Sequence, residues 1–264
     1  MSLKNKLIAL LLCVTPMLAN SADLAREKRI GEQIYDAIFD GDPMYLKDGE
    51  HEFLSIYMRS DSAELNGAAL VLHGRGANPD WIDVVQPLRV GLTEHAWDTL
   101  SIQLPVAREG ASDKEWLALV DEAAPRIDAA LAFLEERGIL NVAVVAHSFG
   151  ARMAAAYLAT RQPPQVRAFV AIGMSADPAQ RNSGNLGALR KLQLPVYDLY
   201  GERDLPTVLD SARERKLAAQ DAGNNDYRQN QVAGADHFFS GQNEVLLSTV
   251  RAWLNKHAQG TQLQ

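Results

Sequence analysis

The chain has 264 residues, of which 47% are hydrophobic and 22% charged, and its formal net charge is −7. This length and apolar content are enough to bury one full hydrophobic core, and the lack of an internal repeat excludes a solenoid or other repeat array. The negative charge gives no support to binding of nucleic acid or of anionic membrane surfaces. The expected partner is therefore a small molecule or an acylated substrate.

The N-terminus has the order of features found in a secretory signal peptide. Lys4 and Lys6 precede an apolar stretch at residues 7–18, and small or polar residues follow at 19–22. A charged start, a short apolar segment and a small-residue exit direct a chain across the inner membrane and are then removed. We therefore predict a signal peptide at residues 1–22 and a periplasmic or secreted bacterial protein.

Two alternatives to a cleaved signal remain open. An uncleaved anchor is disfavoured because the apolar stretch contains Pro16 and is shorter than the ~20 residues that a membrane span needs. A lipoprotein signal would acylate Cys13, the only cysteine of the chain, but Leu12 stands where such a signal needs a small residue. Cleavage after Ser21 or Ala22 would leave a mature chain without a thiol, so no disulfide is expected.

The first element after the leader is predicted to be an extra N-terminal helix at about residues 24–38. Ile30, Ile34, Ala37 and Ile38 recur at helical spacing and would form its apolar face. We expect this helix to lie outside the main sheet, within a single domain that spans the mature chain, and the sequence alone assigns it no role.

Strands and helices then alternate to the end of the chain. We expect strands at 53–58 (an edge strand), 67–73, 99–104, 141–146, 167–173, 195–200 and 227–232, and helices at 80–96, 112–138, 149–160, 207–221 and 242–257. Such alternation requires right-handed crossovers, so we predict an α/β three-layer sandwich with a mostly parallel central sheet. In such sheets the chemistry collects at the carboxyl ends of the strands.

A sharp strand-to-helix turn is predicted around Ser148. An apolar strand runs into Ala146-His147-Ser148-Phe149-Gly150, and a helix of small residues follows directly. A turn this tight forces the central serine into a strained conformation and needs small neighbours two residues to either side. Gly150 meets that need, whereas Ala146 departs by one methyl group from the usual glycine. Ser148 is therefore the candidate nucleophile.

The serine hydroxyl needs a base, and the base needs a carboxylate to orient it. His237 follows the last predicted strand and is the candidate base, while Asp204 follows the strand before it and is the candidate carboxylate. The competing carboxylates are Glu202, two residues nearer the strand than Asp204, and Asp236, directly beside the histidine. We rank both below Asp204. The chain order of serine, aspartate and histidine is the order used by one class of parallel-sheet enzymes.

Attack on a carbonyl group also needs two backbone N–H groups that point at the oxyanion. The amide of Phe149, directly after the serine, is the first candidate, and the amide of Arg75 is the second. Arg75 lies in His-Gly-Arg-Gly at residues 73–76, where glycines on both sides allow close approach of the backbone. We predict that His73 and His147 pack and hydrogen-bond within their turns.

These patterns together resemble the α/β-hydrolase superfamily over about residues 53–257. The shared motifs, in chain order, are His-Gly-x-Gly at 73–76, the turn at 146–150, Gly-x-x-Asp ending at Asp204 and Gly-x-x-His ending at His237. Residues 73–81, with Leu104 and Pro105, also resemble an uncharacterised bacterial hydrolase-like family of unknown function. The resemblance implies a serine hydrolase that uses no cofactor and no metal ion.

The superfamily usually carries a lid in the interval that corresponds here to residues 174–194. This interval is short and rich in Asn, Gly and Ser, which predicts a minimal cap and an open site. Within it, Leu186 and Leu189 are candidates to line a small acyl pocket. Trp81 and Trp116 are expected to pack helices and are left outside the site.

The sequence therefore predicts a serine hydrolase that cleaves carboxylic esters or thioesters through an acyl-enzyme intermediate. Fold and catalytic residues do not determine the acyl acceptor, so an acyltransferase or a peptidase with the same three residues stays open. A hydrolase-like envelope protein that binds a ligand without turnover is the non-enzymatic alternative.

Overall fold

The structure, a computed structural model, describes residues 22–49 and 51–258. The predicted signal peptide lies outside these residues except for Ala22, and so does Cys13. Within the described ranges, no helix combines the length and the apolar character needed to cross a membrane.

The described chain alternates strands with helices as the sequence predicts. The strands are β1 (Asp42–Lys47), β2 (Glu52–Met58), β3 (Gly67–Leu72), β4 (Trp97–Ile102), β5 (Val142–His147), β6 (Val166–Ile172), β7 (Val196–Arg203) and β8 (Tyr227–Asp236). The helices are α1 (Leu24–Tyr35), α2 (Val85–Gly91), α3 (Asp113–Ala118), α4 (Ala123–Glu135), α5 (Phe149–Arg161), α6 (Gly184–Leu189), α7 (Pro206–Leu209), α8 (Ala212–Asp221) and α9 (Asn243–His257), with a 3₁₀ turn at Leu92–His95.

The eight strands form one sheet in the order β1-β2-β4-β3-β5-β6-β7-β8. The pairs β1–β2 and β2–β4 are antiparallel, and all the other pairs are parallel. Ala68, Leu70 and Leu72 of β3 belong to the core that also contains residues of α4, α5 and α6, whereas Ala69 and Val71 belong to the core that contains residues of α2 and α9. Alternate residues of one strand thus build two cores. The predicted three-layer sandwich with a mostly parallel sheet is confirmed.

The prediction that residues 53–58 form an edge strand is wrong. This segment is β2, which pairs with β4 on one side and with β1 on the other, so the edge belongs to β1. Pro43 stands second in β1, and a proline disfavours a strand that must pair on both sides. An edge strand tolerates the missing donor, so β1 can form despite its proline. Strand β1 was not predicted from the sequence.

The helix predicted at 112–138 is two helices. Ser112 and Glu115 form a capping box at the start of α3, but the chain leaves the helix after Ala118 and starts α4 at Ala123. Pro125 lies in the first turn of α4, where its missing N–H costs no hydrogen bond, whereas in the interior of one long helix it would break the backbone ladder.

The N-terminal helix forms but is shorter and oriented differently from the prediction. It ends at Tyr35, and its buried residues are Glu27 and Gly31, while the isoleucines of the predicted apolar face are only half-buried. Glu27 is buried because it pairs with the guanidinium of Arg126, 2.8 Å away. A charged contact, and not an apolar stripe, therefore decides which face of α1 packs against the domain.

Candidate active site

Ser148 occupies the turn between β5 and α5 with φ 53° and ψ −118°, a conformation that is strained for any residue with a side chain. Its amide donates to the carbonyl oxygen of Ile172 at 2.8 Å, which ties the turn to the end of β6. A Cβ atom on Gly150 would lie 2.3 Å from the backbone oxygen of His73, so only glycine fits there. Ala146 is fully buried in the core, which accommodates its methyl group.

The structure brings the three predicted residues of the site together. His237 Nδ1 lies 2.6 Å from Asp204 Oδ1, and His237 Nε2 lies 2.9 Å from Ser148 Oγ. An ionised carboxylate only accepts hydrogen bonds, so the proton of a neutral imidazole belongs on Nδ1 and leaves Nε2 to accept from the serine hydroxyl. This is the geometry that an activated serine requires.

Asp204 is held in its ionised form. Burial alone would raise the pKa of its carboxyl group, but the hydrogen bond and the charge of His237 outweigh burial and hold that pKa below its usual range. The amides of Leu205 and Gly201 add to this effect, donating to the same carboxylate at 2.7 and 3.2 Å. The carboxylate can therefore stabilise a positive charge on the imidazole.

The two competing carboxylates are engaged elsewhere. Glu202 Oε2 accepts from the amide of Gly234 at 2.7 Å. Asp236 Oδ1 accepts from the amides of Phe238 and Ser240, both at 3.0 Å, and so stabilises the turn that carries the histidine. Both acids organise backbone, which agrees with ranking them below Asp204.

His147 contributes more than packing within its own turn. Its Nε2 lies 2.9 Å from the backbone oxygen of His237, and the two rings lie 4.8 Å apart, centre to centre. Burial, together with the nearby charge of His237, lowers the pKa of His147 to about 4. The ring is therefore neutral at pH 7 and donates through Nε2 to the loop that carries the candidate base.

His73 likewise holds the loop at residues 73–76, which carries the second candidate oxyanion donor. Its Nδ1 donates to the oxygen of Gly74 at 2.8 Å, and its Nε2 accepts from the amide of Leu104 at 3.0 Å. Burial lowers the pKa of His73 to about 4, so this ring is also neutral at pH 7. The two histidines predicted to serve their turns thus each connect a site loop to a neighbouring segment.

The two predicted oxyanion donors belong to backbone that adjoins Ser148: Phe149 follows it in the chain, and Arg75 follows Gly74. A Cβ atom on Gly74 would lie 3.1 Å from the Cβ atom of Ser148, so the backbone before Arg75 runs directly against the nucleophile. Within residues 22–49 and 51–258, no acceptor takes a hydrogen bond from the amides of Arg75 or Phe149. Both amides are therefore free to bind an incoming oxygen atom.

A cavity of about 530 Å³ opens over Ser148 and His237. Aromatic side chains from Trp81, Trp116 and Phe238 form part of its wall. The expectation that the two tryptophans only pack helices is therefore wrong: Trp116 contacts the ring of Phe149 and also lines the cavity. Trp81 follows β3 and Trp116 follows β4 in the chain, and these two segments meet only in the fold. The sequence alone therefore did not place the tryptophans at the cavity.

The prediction that Leu186 and Leu189 line an acyl pocket is wrong. Leu186 and Leu189 lie on α6, are buried in the core, and are not among the described residues that line the cavity. Three cationic side chains line it instead, those of Arg26, Arg75 and Arg108. No group of three or more potential metal-ligating side chains occurs in the part of the chain that the structure describes.

The strand order, together with the strained serine between β5 and α5, defines an α/β-hydrolase fold, as the sequence resemblance implied. The chain belongs to the family described as "Protein of unknown function (DUF3530)", whose sequence profile matches residues 15–125 and 107–256. No curated protein matches it in sequence.

Solved structures share the fold at low sequence identity. The Pyrococcus furiosus esterase Pf2001 superposes with a TM-score of 0.66 and 14% identity, covering 85% of this chain and 95% of that chain. Est1E from Butyrivibrio proteoclasticus gives 0.63 and 11%, with 81% and 98% covered. An α/β serine hydrolase homologue from Coxiella burnetii gives 0.62 and 16%, with 81% and 99% covered. Identities this low establish the shared fold alone.

Proposed function

We propose that the protein is a serine hydrolase that cleaves carboxylic esters or thioesters through an acyl-enzyme intermediate. The observation that carries this proposal is the chain of hydrogen bonds from Ser148 through His237 to Asp204, with lengths of 2.9 and 2.6 Å. Ser148 and His237 line an open cavity that a substrate can enter. Solved structures that share the fold of the protein include an esterase. These features support a hydrolase.

In the first half of the reaction, His237 Nε2 takes the proton of Ser148 Oγ while that oxygen attacks the carbonyl carbon of the substrate. The amides of Arg75 and Phe149 donate to the negative oxygen that develops, a contribution of roughly 10²- to 10³-fold in rate for each donor. The imidazolium then gives its proton to the departing alcohol or thiol, and the acyl group stays on the serine.

In the second half, a water molecule gives a proton to His237 and attacks the acyl carbon. The imidazolium then returns that proton to Ser148 Oγ as the bond between this oxygen and the acyl group breaks, and the acid is released. Asp204 stays ionised throughout: it holds the proton of the neutral imidazole on Nδ1 and stabilises the imidazolium form. If another nucleophile replaces water in this half, the same residues catalyse acyl transfer, and an amide substrate would make the protein a peptidase.

Hydrolysis of a neutral ester tests the proposal. The purified protein is assayed with 4-nitrophenyl butyrate, next to Ser148→Ala and to Ser248→Ala, a matched change at an exposed serine of α9. We expect Ser148→Ala to lose at least about 10³-fold in kcat and Ser248→Ala to keep full activity. Equal rates for all three proteins would contradict the proposed nucleophile, and product analysis with added alcohols or amines separates hydrolysis from transfer.

We also propose that the protein works in the bacterial periplasm or outside the cell, because the leader at residues 1–22 has the features of a cleaved signal. Cell fractionation and N-terminal sequencing of the exported protein test this. The expected N-terminus is Ala22 or Asp23. Recovery of the intact chain in the cytosol would contradict it.

A further inference from the structure

Helix α1 packs against the loop that follows β4 and carries one of its side chains to the cavity. The amide of Asp23 donates to the oxygen of Val106 at 2.8 Å, and the amide of Val106 donates to Glu27 Oε1 at 3.0 Å. Arg26 Nη1 donates to the oxygen of Ala107 at 2.7 Å, and Arg26 lines the same cavity as Ser148. The extra N-terminal helix is thus part of the site.

A buried charge cluster fixes the position of this helix. Arg126, which is 2% exposed, lies 2.8 Å from Glu27 of α1 and 2.9 Å from Asp48 in the turn after β1. Its Nη1 also donates to the oxygen of Gln103 at 3.2 Å. Helix α1 is thus held by one buried ion pair, between Glu27 and Arg126, and by three hydrogen bonds to the backbone of residues 106 and 107. This presents Arg26 in a fixed place, so little ordering is needed when a ligand binds.

The helix itself gives no reason for a cation at this position. Arg26 is the third residue of α1, where the partial positive charge of the helix N-terminus disfavours a cation and a carboxylate is preferred. The bond to Ala107 uses one of the five N–H groups of the guanidinium. Four donors of Arg26 are therefore available for other partners.

Arg26 also differs from the other two arginines of the cavity. Arg75 pairs with Asp113 at 2.5 Å, and Arg108 pairs with Glu115 at 2.8 Å. Among residues 22–49 and 51–258, no carboxylate lies within 4.0 Å of the Arg26 guanidinium.

The cavity lining as a whole has the opposite sign to the chain. Three arginines and a single acid, Glu109, line the cavity, although the formal net charge of the chain is −7. A concave site lined by cations raises the local concentration of anionic substrates. Of the three arginines that line the cavity, Arg26 has no carboxylate partner among the described residues. An anionic group on a bound ligand could pair with its guanidinium.

We propose that the cavity takes esters that carry an anionic group, a carboxylate or a phosphate, away from the scissile carbonyl, and that Arg26 binds this group. Guanidinium groups bind both anions through paired N–H donors. The aromatic side chains of Trp81, Trp116 and Phe238 would pack against the apolar part of the same substrate. This inference rests on the proposed function for turnover, but the binding of the anion can be measured without it.

The turnover experiment compares two esters of similar length, 4-nitrophenyl hydrogen glutarate and neutral 4-nitrophenyl pentanoate. Arg26→Gln removes the charge but keeps a donor for the oxygen of Ala107, and Arg26→Lys keeps the charge. Arg29→Gln is the matched control, because Arg29 is exposed on the same helix and does not line the cavity.

We expect the unaltered protein to favour the anionic ester in kcat/KM, and Arg26→Gln to lose about 10- to 100-fold with that ester through a higher KM. Arg26→Lys should lose less, because it keeps the charge. Arg29→Gln should match the unaltered protein with both esters, and the Arg26 variants should lose much less with the neutral ester than with the anionic one. Far-UV circular dichroism shows that the variants are folded. Added salt should weaken the preference. Equal kcat/KM for the two esters in the unaltered protein would overturn the inference while leaving the hydrolase intact.

A binding measurement separates this inference from the proposed function. Calorimetric titration with glutarate and with phenyl phosphate needs no turnover and shows which oxyanion binds more tightly. We expect binding to the unaltered protein and to Arg29→Gln, and at least about tenfold weaker binding to Arg26→Gln. Binding without hydrolysis of any ester would support the anion site and contradict the hydrolase. Absence of binding, or equal binding to all proteins, would overturn the anion site.

Discussion

His147 Nε2 donates to the backbone oxygen of His237 across 2.9 Å, so the residue before the candidate nucleophile holds the loop of the candidate base. Because His147 is neutral at pH 7, this contact adds no second charge beside the imidazolium that forms during the reaction. One short segment, His147 and Ser148, thus determines both the place of the nucleophile and the approach of the base.

Replacing His147 should therefore slow acylation without removing it. In His147→Gln the side-chain amide keeps a donor near the position of Nε2, whereas His147→Leu keeps only the bulk. We expect a loss of roughly 10- to 100-fold in kcat for the leucine variant, and a smaller loss for glutamine, because a small misplacement of the base is costly. The measurement is kcat with a neutral ester, and equal rates for both variants and the unaltered protein would contradict the positioning role.

Substitutions at the two small residues of the turn around Ser148 should differ in their effect on stability and activity. In Gly150→Ala the new methyl group would lie 2.3 Å from the backbone oxygen of His73, so the turn must shift; we expect about 1–3 kcal/mol of lost stability and little activity. Ala146→Gly removes a methyl group where glycine is usual, and we expect activity to be kept. Urea unfolding with ester assays checks both, and an active Gly150→Ala would contradict the close approach.

The two buried neutral histidines predict that stability falls with acidification. In the unfolded chain His73 and His147 take up a proton near pH 6.5, whereas in the folded protein they do so only near pH 4. The unfolded state therefore binds more protons between these values, and the free energy of unfolding falls as the pH drops from about 6.5 to 4, by at most about 3 kcal/mol for each histidine.

Urea unfolding at pH 7.5, 6 and 5 measures this dependence. His147→Gln should lose less stability between pH 7.5 and 5 than the unaltered protein, and Ser248→Ala, a change at an exposed position without a titrating side chain, should lose the same amount as the unaltered protein. Identical slopes for the His147 variant and the unaltered protein would show that this histidine is not held neutral.

Breaking the buried charge cluster should be more costly than neutralising one acid in it. Arg126→Met leaves the carboxylates of Glu27 and Asp48 buried without their cation, and we expect a loss of about 3–5 kcal/mol. Glu27→Gln keeps an acceptor for the amide of Val106 and should cost less. The free energy of unfolding in urea, measured for both variants, gives the order, and a reversed order would contradict this account of how α1 is held.

The residues of the candidate triad could be predicted because each signal is local. An apolar strand that runs through Ala146, Ser148 and Gly150 directly into a helix indicates a sharp turn from a few neighbouring residues. Asp204 and His237 each follow a strand directly. In a parallel sheet the carboxyl ends of strands meet at one edge, so local patterns were enough to bring these residues together.

The lining of the cavity could not be predicted in the same way. Arg26 reaches the site only because α1 docks on a loop some 80 residues away in sequence, through a charge pair that an apolar pattern does not show. The single local sign is an arginine at a helix position that favours an acid. Leu186 and Leu189 illustrate the converse error, because apolar residues in a cap can as readily join the core.

The central claim, that Ser148 is an activated nucleophile, is tested most directly by labelling with a fluorophosphonate probe, followed by peptide mapping of the modified residue. We predict one adduct per chain on Ser148, no adduct in Ser148→Ala, and labelling slowed by at least about 10³-fold in Asp204→Asn, which loses the orientation of His237. A folded protein that stays unlabelled, or an adduct on another residue, would contradict the claim and leave a hydrolase-like binding protein as the better description.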